Sequence, residues 1–544
     1  MSEISQQTKG LISQYQTWYR SLHPEENTLT IHVDEVASKM ASFYEKIRGV
    51  IDYRGEHLLK KTAIERKLKR RLLLNKIQSN ISLNGNGNIE KSIAEPLIIE
   101  LIQGGHFPND TIKELKIKEV ENSLNKYIFI IKNSSTPSNE ERNKVNLQNW
   151  LIDIAACEIE EILSPPSKEK ALINYMSSLI KERVTLSKDI RMEDKEVKTQ
   201  IYIATQQSLF NLDSPLISYN LIKKWYLDWD NLSQEKLKEI SEKIYLIRKK
   251  IEKAFHHPLS EKFYKVCERF DTPFLVLDDI ISENLPDVEE KISEPEELET
   301  LIKKVYQKKV KTLKSKLGRA AFYSTVSIFI TNILSLLVIE IPFTKYFTGG
   351  FNFFAIGVDI LGPTFLMLFL VISIKPPKKD NLRHVILETM KIVYKTDREV
   401  VYGNIKIPKK RGLILKMAIS IFYLITFLFS FGVIIWGLHN VNFPILSYVI
   451  FVIFISLIAF TGVKIRGRAK ELEITPEKGT FIGFLLDLLS LPLLRVGKWL
   501  SIKWKKYNVI AIFFNSLIDM PFQIFVEFFD NLRGFLNEKK EGIH

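Results

Sequence analysis

The stretch AAFYSTVSIFITNILSLLVIEIPF, residues 320–343, decides how this chain must be read. It holds one charged side chain, Glu340, in a run longer than the roughly 20 apolar residues needed to cross a hydrocarbon core. Three further runs, 351–374, 412–438 and 443–463, have the same character. Core helices of soluble proteins seldom run so far with so few charges, so four transmembrane spans are expected within a domain covering 303–464.

Charge gives these spans a direction. From Lys303 to Arg319 there are eight Lys/Arg and no acid, and the loop 375–411 has eleven basic and four acidic residues. The other two connections, TKYFTGG and HNVNF, share one Lys. By the positive-inside rule both termini and the loop 375–411 are cytoplasmic. The opening MSEISQQTKGLIS has no apolar core of a signal peptide, so the preceding domain is expected to stay where it is made. The expected location is a bacterial cytoplasmic (inner) membrane, with a multi-pass topology. The net charge of +14 does not indicate nucleic acid, because the region before Lys303 carries 43 basic and 48 acidic residues. The excess sits beside the apolar runs, where anionic lipid attracts Lys/Arg. Only Cys157 and Cys267 occur, too few for a disulfide framework.

Residues 1–302 read as a cytosolic all-helical domain, with a subdivision near 134–140 where Ser, Thr, Pro and Asn accumulate. Val36, Met40, Phe43, Ile47, Ile51, Leu58, Ile64 and Leu68 recur at helical spacing, which predicts one long amphipathic helix over 34–74. Ser233, with Glu235 behind it, offers an N-cap for another helix. YIFIIK, residues 127–132, could be a strand, but its place after ENSLNK favours helix. Residues 465–544 read as interfacial or re-entrant amphipathic helices, with a second hairpin as the competing reading. TFIGFLLDLLSLPLL, 480–494, is short for a span, and Lys498, Trp499, Lys503, Trp504, Lys505 and Lys506 suit the lipid-headgroup layer. The fold class is therefore all-α: a large cytosolic helical region, a transmembrane helical domain and an amphipathic C-terminal region.

Several segments resemble a family of multi-pass helical membrane proteins from small-genome bacteria. They are FYEKIRGVIDYRGEHLLKKTAIERKLKRRL (43–72), PLIIELIQGGHFPND (96–110), AAFYSTVSIFITN (320–332), VIEIPF (338–343), IKPPKKDNL (374–382), LSLPLLRVGKWLS (489–501) and EKKEGI (538–543). The resemblance implies a helical cytosolic region, membrane hairpins, an amphipathic C-terminus and a bacterial source. It brings no activity and no functional residue.

Signatures of common chemistry are missing. GNGNIE (85–90) lacks the Lys and Ser/Thr of a P-loop, and neither HExxH nor Gly-x-Ser-x-Gly occurs. Glu45, Asp52 and Glu56, with His57 adjacent, and the pair Glu158 and Glu161 are carboxylates at helical spacing. The chain does not carry the two Glu-x-x-His motifs of a two-metal carboxylate site, so these read as ion-paired, solvated faces. The basic run KKTAIERKLKRR (60–71) reads the same way, with docking on anionic lipid or an acidic partner as the alternative. Glu340 and Asp359 are sharper, because an ionisable group inside a span is a functional hypothesis by default. Asp359 lies about 12 Å into its run at about 1.5 Å per residue, flanked by Gly357, Gly362 and Pro363. The leading expectation is a membrane-anchored cytosolic binding or scaffold module that engages the bilayer and a cytosolic protein. The alternative is a small-ion or proton channel or transporter using Glu340 and Asp359, and the third reading is a carboxylate-metal enzyme. No cofactor and no nucleic-acid partner are expected.

Overall fold

The computed structural model describes residues 3–21, 29–33, 56–79, 93–135, 141–285, 287–347, 353–374, 377, 379–395, 401–406, 412–440, 443, 445–474 and 481–507. The described chain is all-α, and its only paired strands are two of three residues each. It divides into two compact units.

The first unit is built from the described residues through Ser293 together with those of 392–407. Its helices are α1 (Gln6–Ser21), α2 (Glu56–Ser79), α3 (Ala94–Gln103), α4 (Leu115–Asn133), α5 (Glu141–Leu163), α6 (Ser167–Arg183), α7 (Asp194–Phe210), α8 (Ser214–Trp225), α9 (Gln234–Phe255), α10 (Ser260–Glu283) and α11 (Val288–Ser293). The segment YIFIIK lies within α4, so the helical reading holds. Local chemistry explains several helix ends. Ser233 accepts a hydrogen bond from Lys236 N at 3.3 Å and caps α9, and Asp213 accepts from Leu216 N at 3.2 Å ahead of Pro215 to cap α8. Asn211, with φ 49°, takes the left-handed conformation that closes α7.

The core is apolar but is tied by one buried polar hub. Glu158 of α5 accepts hydrogen bonds from Lys126 Nζ at 2.7 Å, Tyr127 OH at 2.8 Å and Trp229 Nε1 at 2.9 Å. The sequence reading as a solvated face is therefore corrected for Glu158. Removing one partner of such a buried pair costs about 3–5 kcal/mol, because the other charge is stranded. The basic run 60–71 needs the same correction. Ala63, Ile64 and Leu68 are buried. Lys61 pairs with Asp213, Lys67 and Arg71 with Glu100, and Lys69 with Glu65 and Asp153. Lys61, Lys67, Lys69 and Arg71 fasten α2 to its neighbours, while Arg70 is exposed.

The return of the chain at 392 has no counterpart in the sequence reading. Strand β1 (Val184–Leu186) pairs in parallel with β2 (Gly403–Ile405), with Val184 opposite Gly403 and Leu186 opposite Ile405. Ile4 bridges Tyr394 antiparallel, and Tyr394 OH donates to the Ile292 carbonyl at 2.7 Å. Tyr175 OH donates to the Ile392 carbonyl at 3.2 Å. Tyr402 stacks on Phe270 with ring centroids 3.9 Å apart and receives a hydrogen bond from Arg183. The loop between the second and third apolar runs is thus partly core of the first unit.

The second unit comprises Glu294–Lys391 and the described residues from 412 onward. Its elements are α12 (Pro295–Ser335), a π-helical turn (Leu336–Glu340), α13 (Ile341–Phe347), α14 (Phe353–Ile372), α15 (Lys379–Val393, whose last two residues belong to the first unit), α16 (Leu413–Asn440), α17 (Ile445–Ala469) and α18 (Phe481–Tyr507). Three helical stretches, Pro295–Glu340, Leu413–Asn440 and Ser447–Ala469, are long and apolar enough to cross a membrane, and the apolar stretch Ile356–Ile372 is shorter. They turn large apolar side chains outward, among them Phe322, Phe369, Leu428 and Trp436. Met367, Ile458 and Ile465 form a small internal core with Leu317, Ile328 and Leu370 around it. Asn381 of α15 donates to Tyr306 OH at 2.8 Å and accepts from Ile474 N at 2.9 Å, tying α15 to α12 and to the segment after α17. Residues 481–494 fall in α18, which continues through Pro492 to Tyr507; it packs on α17 at Ser456, where Gly497 admits no side chain, and on α16, where Ser430 Oγ donates to the Leu489 carbonyl at 2.8 Å. Residues 508–544 of the C-terminal region, and residues 34–55 of the predicted long helix, lie outside the described residues.

If 392–407 is part of the first unit's core, Tyr402→Ala should destabilise that unit by about 3 kcal/mol, as for other buried aromatic truncations. Tyr402→Phe, which keeps the stack and loses the hydrogen bond, should cost only about 1 kcal/mol. Chemical denaturation followed by intrinsic fluorescence reads both, and equal stability of Tyr402→Ala and wild type would show the return segment to be dispensable.

Candidate functional site

The two carboxylates singled out in the apolar runs come together. Glu340 closes the π-helical turn after α12, Asp359 lies on α14, and their carboxyls face each other. Asn332 on α12 and Ser447 on α17 complete the group. All four are buried by protein, with relative exposures of 1% for Asn332, 5% for Glu340, 3% for Asp359 and 3% for Ser447. Ser447 Oγ donates to Glu340 Oε2 at 2.9 Å. Asn332 Nδ2 lies 3.4 Å from the carbonyls of both Asp359 and Ile360. Pro363 explains why a carbonyl is open there. Having no N–H, it leaves the carbonyl four residues earlier, that of Asp359, without its helical donor. Glu340 Oε1, Asp359 Oδ1 and Asn332 Oδ1 have no hydrogen-bond partner. Sequence reasoning missed Asn332 and Ser447, although an amide inside an apolar run carries the same signal as a carboxylate, more weakly.

The expected headgroup residues are only partly described. Lys498 and Trp499 are exposed on α18 together with Leu491, Arg495 and Ile502. The Arg495 guanidinium lies 4.3 Å from the Tyr423 ring centre, which draws α18 onto α16. The side chains of Lys503, Trp504, Lys505 and Lys506 lie outside the described residues, as do Glu45, Asp52 and the side chains of Glu56 and His57.

The first unit offers a different kind of site, a groove of about 860 Å³ between α4, α5, α8 and the 3-10 turn Trp229–Asn231. Lys126 and Glu158 lie in its wall, and burial holds the Lys126 ammonium below the usual lysine range despite Glu158. Lys223 bridges Glu161 at 2.9 Å and Asp230 at 2.6 Å. Ser123 Oγ and Asn125 Oδ1, also lining the groove, have no hydrogen-bond partner. A volume of this size is typical of small-ligand or side-chain recognition. Among the described residues no three His, Cys, Asp or Glu side chains gather as a metal-holding group.

Comparison with protein-family models, with curated proteins and with solved structures finds no match to the chain.

A third carboxylate pair, in the first unit, is sensitive to pH. Burial and the neighbouring Glu65 push the Asp153 carboxyl up to about 6. Burial acts the same way on Glu65, but the Lys69 hydrogen bond and charge outweigh it and hold Glu65 below its ordinary value. A carboxyl raised on folding contributes stability at low pH that is lost as pH rises through about 6. Asp153→Asn should therefore have a higher Tm than wild type at pH 7.5, and the difference should shrink as pH falls toward 5. A Tm difference independent of pH across that window would show that Asp153 does not titrate there.

Proposed function

We infer that this chain is a multi-pass membrane protein whose first unit is a helical binding module held at the cytoplasmic face. The observation that carries this reading is the route of the chain. The described residues up to Ser293 and those of 392–407 belong to one folded unit, while the chain between them contains α12 and α14. A folded unit lies on one side of a bilayer, so the intervening chain crosses an even number of times. One crossing by α12 therefore requires a second, and α14 is the apolar helix available for it. The pair α16 and α17 forms the second hairpin. The Lys/Arg bias of 303–319 and 375–411 puts the first unit on the cytoplasmic side. Tethered on both sides of the first hairpin, the unit presents its groove to cytosolic partners, with the partly exposed Lys223 and Asp230 on its wall.

Topology reporters test the membrane half of this reading. Fusions after Gly349 or Asn440 should report the outside, and fusions after Asp397 or Lys470 the inside. An inside signal at Gly349 would remove the hairpin. The binding half is tested by photo-crosslinking in native membranes from Asn122 and Phe129, both at the groove, with the exposed Lys265 as reference. A discrete adduct from the groove positions alone is expected, and labelling equal to that from Lys265 would count against a binding role.

A further inference from the structure

The polar atoms enclosed by α12, α14 and α17 are matched in an unusual way. Glu340 Oε1, Asp359 Oδ1 and Asn332 Oδ1 are all acceptors, all buried, and none receives a hydrogen bond from an N–H or a hydroxyl group. The nearby donors are already directed elsewhere: the Ser447 hydroxyl to Glu340 Oε2, and the Asn332 amide to the backbone of α14. Among the described residues no Lys, Arg or His forms an ion pair with either carboxyl. A purely structural cluster is assembled with donors set against acceptors, as Glu158 is with Lys126, Tyr127 and Trp229. Oxygens alone, two of them on carboxyls, are complementary to positive charge.

Two bare carboxylates facing each other among apolar helices repel and have lost their hydration, so the pair keeps its charge only with a cation among its oxygens and otherwise carries protons. The available ligands are carboxyl and amide oxygens with a hydroxyl beside them and no nitrogen or sulfur, a set that suits hard cations and not zinc or copper. The backbone is also modified here on both sides. The π-helical turn widens the helix at Glu340, a feature common at functional sites, and Pro363 opens the Asp359 carbonyl.

We propose that Glu340, Asp359 and Asn332 bind one hard cation, alkali or alkaline-earth, which enters in exchange for protons carried by the two carboxyls. The exchange balances in charge. A monovalent ion displaces one proton and a divalent ion two, so the site is neutral before and after loading. Ser447 is a positioning residue that holds Glu340 through Oε2 and leaves Oε1 toward the ion. This site is independent of the groove in the first unit and adds an ion to what the protein recognises.

The test uses the full chain purified in detergent, in choline chloride at fixed ionic strength, titrated separately with NaCl, LiCl, KCl, MgCl2 and CaCl2. One or more of these salts should raise Tm saturably and release protons measurable with a pH dye in weak buffer. The half-saturating concentration should fall about tenfold per pH unit when one proton leaves and about a hundredfold when two leave. The salt that does so identifies the ion. Asp359→Asn and Glu340→Gln should each lose both responses, whereas Asp487→Asn, an exposed carboxylate on α18, should retain them. Should a site variant fail to fold, proton release by the wild type alone still decides. The proposal is overturned if Tm ignores all five salts, if stabilisation occurs without proton release, or if folded Asp359→Asn responds like wild type. A Tm that follows pH but no salt also overturns it, in favour of a pair that carries protons only.

Discussion

The pairing of Gly403–Ile405 with Val184–Leu186 is short, yet much else depends on it. Three residues of parallel strand, with Tyr402 stacked on Phe270 and Tyr394 anchored to Ile292, place chain from beyond two apolar helices inside the first unit. For a chain whose apolar helices lie in a bilayer, that fixes parity: whatever enters between 293 and 392 must come back. The shorter apolar helix α14 is then required by connectivity even though its described apolar stretch is brief. The same return ties the loop to a folded core, where a basic linker of 375–411 alone would have been free to follow the lipid surface.

The protein buries carboxylates in two opposite ways. Around Glu158 three donors converge on two oxygens, and the Lys126 ammonium also reaches the Trp229 carbonyl at 3.0 Å, so charge and hydrogen-bonding capacity are both matched. That arrangement specifies packing and leaves nothing open for chemistry. Around Glu340 and Asp359 acceptors outnumber donors, and three oxygens are left over. The comparison separates a polar group that holds a fold together from one that waits for something else.

The apolar runs were legible in the sequence because span recognition needs only composition over about 20 residues. Glu340 and Asp359 stood out for the same reason, as charges where charge is expensive. Their meeting was not legible, since it depends on the rotation of two helices about their axes. The return segment was hidden because three-residue strands carry no period and their partner lies more than 200 residues away. The basic run 60–71 looked solvated because its partners, Glu100, Asp153 and Asp213, are remote in sequence. A Lys that faces water and a Lys that faces a distant Asp are the same letter. The amphipathic spacing of Ile64 and Leu68 did show which side of that helix goes inward, and both are buried.

The π-helical turn at Leu336–Glu340 has a consequence for how this helix can vary. A π turn accommodates one more residue than an α turn over nearly the same length of axis. Losing one residue anywhere from Leu336 to Ile339 would let the turn relax to ordinary α geometry, and the helix would remain helical, apolar and long enough to span. Because an α turn makes the same full rotation with one residue fewer, the flanking helix would keep nearly its azimuth, and Glu340 would still face Asp359 and Ser447. A residue gained there has no such outlet: everything after it swings by about 100° relative to everything before it, at 3.6 residues per turn. Glu340 would then turn toward another face while Asn332 stayed where it is, so the turn makes the cluster tolerant of shortening and intolerant of lengthening.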